Sequence, residues 1–195
     1  MPVTTAFWRN RLPHWEVREG VYFLTLRCAG SLPPSVVGQV AAIRDALASV
    51  SPRSEEFAGL QRRYFLTMEK YLDRGTGFCP FRDGDCCRYV REALESLSES
   101  GWHLRHYVLM PNHVHALFRT DREAGRMKDL WARWKGRTAR RCNEWLGRTG
   151  AFWHKDWFDR WMRDEAATER TVRYIRNNPV KAGLVKDWRE YEWVW

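Results

Sequence analysis

The sequence predicts an α/β fold of the α+β type, a ferredoxin-like βαββαβ sandwich with an antiparallel sheet. Three observations predict it. Strand-like and helix-like stretches follow in the order strand, helices, strand, strand, helix, strand, helix. Two strands are joined by the turn residues Pro111 and Asn112. The second of them alternates between an apolar and a polar face. We expect residues 1–195 to form one domain, with a helical insertion at 36–75 after the first strand and an extra C-terminal helix.

The first half of the chain predicts one strand followed by helices. The stretch VYFLTLRCAG, residues 21–30, is rich in β-branched and aromatic residues and precedes the turn residues SLPP. Residues 36–50 place apolar side chains at helical spacing, and residues 55–75 predict a second helix that ends at a glycine. Residues 85–101 predict a more strongly amphipathic helix.

The second half predicts a strand pair, a basic helix, a last strand and a last helix. Their ranges are 102–110, 113–120, 122–147 and 152–162, and the last helix opens at Asp164. Pro179 is expected to end that helix, because the residue before a proline is pushed out of the α region. Helices cover one face of such a sandwich, so we expect the other face to be open for a site.

The charge of the chain indicates a polyanionic partner. Its formal net charge is +9 and its pI about 9.6, and residues 126–148 hold eight basic against two acidic residues. Such a cluster favours nucleic acid, although a solvated helix face is the alternative. Five cysteines without paired spacing argue against a zinc ribbon or a disulfide framework. Neither a leader-like segment nor an apolar run of membrane length is present in the sequence, so we expect a cytoplasmic protein without a membrane partner.

His113 and His115 lie one residue apart in the apolar stretch YVLMPNHVHALF. Side chains alternate across a strand, so both imidazoles point to one face while the intervening apolar residues point to the other. Two neutral imidazoles on one strand can chelate a divalent ion. The pair can equally be a packing accident, since no third ligand completes a hydrolase motif.

One tyrosine is followed, at helical spacing, by a polar side chain that could act as a metal ligand. A tyrosine that attacks with the help of a metal needs such a ligand nearby. On a helix, a further ligand must lie three or four residues away. Among the seven tyrosines, only Tyr174 has an amide four residues later, at Asn178. The alternative is that Tyr174 is a packing residue and Asn178 a helix C-cap.

These stretches together resemble the REP-associated tyrosine transposases of the HUH-type single-tyrosine transposase superfamily. MPNHVHALF has the two histidines flanking a hydrophobic residue, and RYIRNNPVKAGLV has the tyrosine helix. Two further stretches agree with the resemblance: VYFLTLRCAGSLP near the start and WKGRTARRCNEWLGRTGAFWHKDWFDRWMRD before the tyrosine helix. It covers about residues 8–190, with NPVKAGLV as its most specific motif and 36–75 as its least covered part.

The resemblance implies a role for each of these residues. His113 and His115 match the metal ligands, Tyr174 the nucleophile, and Asn178 the third protein ligand, where the insertion-sequence relatives typically have glutamine. The implied cofactor is a divalent cation, Mg²⁺ or Mn²⁺, and a two-histidine site favours Mn²⁺ in vitro. Attack by Tyr174 would give a 5′-phosphotyrosine and a free 3′-OH. The REP-associated branch implies a monomer rather than a homodimer.

Basic and aromatic residues near these motifs are expected to bind DNA. The basic helix would contact phosphates, and Trp131 and Trp134, three residues apart on it, would either stack on unpaired bases or pack onto the sheet. The expected DNA-binding residues are Lys128, Arg133, Lys135, Arg137, Arg140, Arg141, Arg160, Arg163, Arg173, Arg176, Lys181, Trp131, Trp134 and Trp157.

The expected function is that of a transposase-like endonuclease and strand-transferase on single-stranded DNA. Its substrate would be a REP-type hairpin with a short unpaired guide sequence. The main alternative is a domesticated hairpin-binding protein with vestigial catalysis. A replication or conjugation initiator of the HUH class is usually larger, and a βαββαβ RNA-binding module would need aromatic pairs on its central strands.

Overall fold

The computed structural model describes residues 3–195, which form six strands and five helices. The strands are β1 (Thr4–Arg9), β2 (Pro13–Val17), β3 (Val21–Arg27), β4 (Trp102–Met110), β5 (His113–Thr120) and β6 (Phe158–Trp161). The helices are α1 (Pro34–Ser49), α2 (Glu55–Leu72), α3 (Gly84–Glu95), α4 (Met127–Trp145) and α5 (Glu165–Lys181). Within residues 3–195, no helix combines the length and the apolar composition needed to cross a bilayer.

Four strands form an antiparallel sheet in the order β4-β5-β3-β6. This is the strand order of a ferredoxin-like sandwich, so the predicted fold class is confirmed. Strands β3 and β5 pair at the centre, with His115 opposite Thr25 and His113 opposite Arg27. The tight turn at Pro111 and Asn112 joins β4 to β5.

The sheet separates two hydrophobic cores. Helices α3 and α4 cover one face, where Trp102, Phe118 and Trp131 are buried. Helices α1, α2 and α5 cover the other face, where Leu72 and Ile175 are buried. The expectation of an open second face was therefore wrong. The apolar stripes of α1 and α2 have to be buried, and the sheet face that carries the histidines is the surface that buries them.

Strands β1 and β2 form an N-terminal hairpin that the sequence analysis did not predict. His14 in β2 lies between two buried carboxylates, pairing with Asp159 through Nδ1 and lying 3.3 Å from Asp156 through Nε2. The Glu16 carboxylate accepts a hydrogen bond from the backbone N–H of Met127 at 2.8 Å, at the start of α4. These contacts hold the hairpin against β6 and α4.

Helix α5 does not end before Pro179 but continues through it to Lys181, which corrects the sequence prediction. The bias against the α region before a proline is an energetic preference that tertiary packing overcomes here. The last turn stays bonded, since Ala182 N–H donates to Asn178 C=O at 3.0 Å and Leu184 N–H donates to Pro179 C=O at 2.9 Å. Gly183, with φ of 70°, then ends the helix.

Two predicted strands are shorter than expected. Strand β3 ends at Arg27 rather than residue 30, and β6 is limited to four residues of the range 152–162. Residues 152–157 form a loop beside the end of β3 and make only a single bridge to it, between Cys28 and Trp153.

The C-terminal segment returns along the free edge of β4. Leu109 N–H donates to Trp193 C=O at 2.9 Å, and Tyr107 and Trp195 exchange backbone hydrogen bonds at 3.1 and 3.0 Å. The tail therefore covers an edge that would otherwise present unpaired backbone groups.

Candidate active site

The two histidines of β5 lie side by side, fully buried, with ring centroids 4.7 Å apart. His115 Nδ1 bonds Thr25 Oγ1 at 2.9 Å, and His113 Nδ1 donates to Asn112 Oδ1 at 2.8 Å. The Asn112 amide is itself fixed by donating to Thr76 C=O at 3.1 Å. Because each Nδ1 is engaged, each Nε2 is left to face the space between the sheet and α2.

Burial and the neighbouring His115 lower the pKa of His113 to about 3. The imidazole is therefore neutral at physiological pH, which is the state in which histidine binds a metal.

Glu69 of α2 completes a cluster of three potential metal ligands with these histidines. Its side chain is 2% exposed, and its Oε2 lies 3.1 Å from His115 Nε2. One ligand atom from each of the three residues lies within 4.8 Å of the others. Burial alone would raise the pKa of Glu69, but the adjacent histidines and the Tyr174 hydroxyl outweigh burial and lower it, so the carboxylate is ionised.

The sequence analysis missed Glu69, although the sequence contains a signal for it. Phe65, Glu69 and Leu72 follow one another at helical spacing along the apolar stripe of α2. A carboxylate on such a stripe must be buried with a partner, and that requirement marks it as a candidate for a polar site.

Tyr174 of α5 points its hydroxyl into the same cluster. The hydroxyl donates to Glu69 Oε2 and lies 3.3 Å from His115 Nε2. The rings of Phe23 and Phe65 pack edge-on against it, each 5.8 Å away between centroids. Burial, and then the negative charge of Glu69, raise the pKa of Tyr174 far above 10, so the phenol is protonated in this arrangement.

Asn178 lies one helical turn after Tyr174 and is 1% exposed. Neither polar atom of its amide has a hydrogen-bond partner among residues 3–195, and the same holds for His113 Nε2 and Glu69 Oε1. Buried polar atoms without partners are costly, so several of them together indicate a missing ligand. Imidazole nitrogens, a carboxylate and an amide oxygen fit a divalent cation.

Beside Tyr174, α5 and the 3₁₀ turn at Trp188–Glu190 form a basic cleft. Three of the expected DNA-binding residues on this helix line it. Arg173 is exposed, and the Arg176 guanidinium lies 4.9 Å from the Trp188 ring centroid. Lys181 also lines the cleft, where it pairs with Asp73 at 2.7 Å. Four lining residues were not predicted from the sequence: Arg170, Asn177, Trp188 and Arg189.

Helix α4 carries its predicted basic residues on the opposite side of the sheet from the histidines. Five of them are exposed: Lys128, Arg133, Arg137, Arg140 and Arg141. The sixth, Lys135, is half-buried, and its amine donates to the backbone C=O of Lys155 at 2.8 Å and to that of His154. Arg160 and Arg163 are exposed at and just beyond β6.

Trp131 and Trp134 are fully buried and pack against each other and the sheet, so the stacking role considered for them is wrong. The sheet needs large apolar side chains beneath α4, and these two indoles supply them. Trp157 is 6% exposed and packs against His14 with centroids 4.6 Å apart, which leaves only an edge for contact with a ligand.

Comparison with known proteins shows similarity to a family model and to a solved structure. Residues 81–178 match the family model described as "Transposase IS200 like", a range that includes both histidines, Tyr174 and Asn178 but not Glu69. The fold is similar to a solved structure of the REP-associated tyrosine transposase bound to a REP hairpin. The TM-score is 0.55 and the sequence identity 15%, over 97% of this chain and 82% of that one. No curated protein sequence matches the chain.

Proposed function

The chain belongs to the IS200-like transposase family, and from this premise we propose that it cleaves and rejoins single-stranded DNA through Tyr174. The observation that carries the proposal is the position of the Tyr174 hydroxyl, which contacts Glu69 and His115 within a buried group of metal-ligating atoms. A phenol is a weak nucleophile at neutral pH and needs an adjacent base or cation to react. This cluster offers Glu69 as the base and, in its three metal-ligating side chains, a position that would hold a cation.

A divalent cation, Mg²⁺ or Mn²⁺, would be held by His113, His115 and Glu69, and we assign the unpartnered amide oxygen of Asn178 as a further ligand. When bound, such an ion supplies positive charge for a phosphate oxygen and for the negative charge that develops during attack. Two imidazole ligands favour Mn²⁺ over Mg²⁺.

The chemistry conserves the energy of the phosphodiester bond. The Tyr174 oxygen bonds to phosphorus, the bond from phosphorus to O3′ breaks, and a 5′-phosphotyrosine and a free 3′-OH result. Glu69 Oε2 already accepts the hydrogen bond of the phenol and is placed to take its proton, while the leaving O3′ takes a proton from solvent water. Attack by a 3′-OH on the tyrosyl ester reverses the step and joins strands, so ATP is not needed.

The proposed substrate is a REP-type hairpin with an unpaired guide sequence, in keeping with the similar structure that holds a REP hairpin. The arginines of the basic cleft would contact the phosphates of the unpaired strand beside Tyr174. Because Tyr174 contacts a histidine of its own chain, no second copy is needed to complete the site, which supports a monomer. The DNA substrate is consistent with a cytoplasmic location.

The direct test is capture of the covalent intermediate. Wild-type protein incubated with labelled, hairpin-bearing single-stranded DNA and Mn²⁺ is expected to give an adduct that survives denaturing electrophoresis. Tyr174→Phe keeps the ring but removes the nucleophilic oxygen, so it should give none. Tight hairpin binding by the wild-type protein without any adduct would support the domesticated binding protein instead.

His113→Ala separates catalysis from binding. We expect it to abolish the adduct while hairpin affinity changes by less than about tenfold, because phosphate and base contacts lie elsewhere on the surface. An equal loss of binding would mean that the histidines hold DNA rather than a metal.

A further inference from the structure

Away from the histidines, a surface slot opens between β1, α4 and the loop 150–157. Its floor is a strip of α4 in which the exposed Ala132 and Gly136 and the half-buried Ala139 follow one another at one-turn spacing. A Cβ atom placed on Gly136 would meet no heavy atom within 4 Å. The floor is therefore low and smooth, and it leaves room for a flat group.

Aromatic side chains form the walls of this slot. Trp8 of β1 is half-buried on one side, and Trp153 and Trp157, each 6% exposed, form the inner wall. The indole nitrogen of Trp8 is itself buried and has no hydrogen-bond partner within residues 3–195. Trp8 and the exposed edges of Trp153 and Trp157, above a floor of two alanine methyl groups and a glycine, suit an aromatic ligand such as a nucleobase.

The rim of the slot is cationic. Lys128, Lys135 and Lys155 line it, and none of the described residues that line it is acidic. The hydrogen bonds of Lys135 to the loop carbonyls fix the position of its half-buried ammonium group. A flat apolar interior with a positive rim matches a nucleotide, whose base is aromatic and whose phosphate is anionic.

The slot lies on the α4 side of the sheet but at the same end of the sheet as the catalytic histidines. Its loop wall is bonded to β3, where His154 N–H donates to Arg27 C=O at 2.9 Å, and Arg27 is paired with His113 across the sheet. A DNA strand seated in the slot can therefore pass around this end of the sheet toward Tyr174.

We propose that the slot binds an unpaired nucleotide of the DNA, with its base between Trp8 and the inner wall and its phosphate on the lysine rim. This anchors the strand at a distance from the scissile phosphate. The inference rests on the proposed function for its choice of DNA as ligand, but occupancy of the slot does not require cleavage.

Gly136→Leu tests the proposal by filling the slot from its floor. Leucine favours a helix more than glycine does, so the variant should stay folded. We expect it to bind a fluorescent twelve-nucleotide oligothymidylate about tenfold more weakly than wild type, the loss typical of one stacked base. Its affinity for a blunt twelve-base-pair duplex should stay within about twofold, because duplex bases cannot enter the slot.

Gly59→Leu is the matched control, since Gly59 is an exposed helical glycine on α2 that also has open space around its Cβ. It should bind both probes as wild type does. Equal affinity of Gly136→Leu and wild type for oligothymidylate would overturn the proposal.

Photocrosslinking supplies a second readout. An oligothymidylate with one 5-iodouracil should crosslink to peptides that contain Trp8 or residues 153–157, and Gly136→Leu should reduce that yield. Crosslinks confined to the peptide of Trp188 would overturn the slot. Tyr174→Phe should keep both slot binding and crosslinks, so a failure of the slot and a failure of the proposed cleavage give different results.

Discussion

At the scale of single residues, the candidate site is marked by buried polar atoms that have no hydrogen-bond partner. His113 Nε2, Glu69 Oε1 and the Asn178 amide are unpaired inside the described protein, whereas each histidine Nδ1 is engaged. The second hydrogen bond of each imidazole fixes the orientation of its ring before any ion arrives. The proposed cation would therefore meet a preorganised site, in which Glu69 also contacts the Tyr174 hydroxyl.

Glu69→Gln should separate the charge of this residue from its shape. We expect the rate of adduct formation to fall about 100-fold, the low end for loss of a positioned acid or base. A Mn²⁺ concentration 100 times the Kd for Mn²⁺ should raise the free energy of unfolding of wild type by about 2.7 kcal/mol. The variant should not show this increase. Thermal unfolding with and without Mn²⁺ measures the second effect. The exposed Glu56→Gln on the same helix is the control, and a wild-type response from Glu69→Gln would contradict the assignment.

At the scale of elements, α4 and α5 have different relations to the DNA. Helix α5 brings Tyr174 to His115 and lines the basic cleft, where we propose that the reacting strand lies. Helix α4 buries two tryptophans against the other face and presents its arginines to solvent. Those arginines can add affinity through phosphates, but they lie across the sheet from the chemistry.

Replacing Arg133, Arg137 and Arg140 of α4 together with glutamine should therefore weaken DNA binding without impairing cleavage of bound DNA. Each lost phosphate contact lowers the slope of log K against log salt by about 1, so we expect a decrease of about 2 to 3. Affinity titrations over a salt series measure the slope, and single-turnover adduct formation at saturating protein measures the chemistry. Arg88→Gln, which removes an arginine paired with Asp85, should leave the slope unchanged. An unaltered slope in the triple variant would place the DNA elsewhere.

At the scale of the whole molecule, contacts between distant parts of the chain hold the layers together. His14 joins the N-terminal hairpin to Asp156 and Asp159, and all three side chains are buried. Burial opposes the charge on His14, but the two carboxylates outweigh it and raise the pKa of His14 to about 9. Burial raises the pKa of Asp159, an effect that His14 partly offsets.

This cluster predicts a stability that falls in alkaline solution. The pKa of His14 is higher in the folded protein than the ordinary 6.5, so its contribution is complete below pH 6.5 and is lost as the pH rises through 9. Wild type should have a higher free energy of unfolding than His14→Gln at pH 6. This difference between the two proteins should be smaller by about 3 kcal/mol at pH 9.5. Urea unfolding at both pH values measures it. His103→Gln, at an exposed surface pair with Asp121, should show a constant difference.

The sequence alone determined those features that depend on local spacing. Alternation put His113 and His115 on one face of β5, helical spacing put Asn178 one turn after Tyr174, and the order of strands and helices specified the antiparallel sheet. These follow from periods of 2 and 3.6 residues, which no distant contact alters.

The tertiary structure alone decided which residues meet across the layers. It buried the histidine face beneath α1, α2 and α5, extended α5 through Pro179, and placed Trp131 and Trp134 in the core. It also brought Glu69 to the histidines and to Tyr174, although these residues are 44 or more positions away in the sequence. Such contacts follow from how whole apolar faces pack against one another, and that packing is a property of the complete fold rather than of any local stretch.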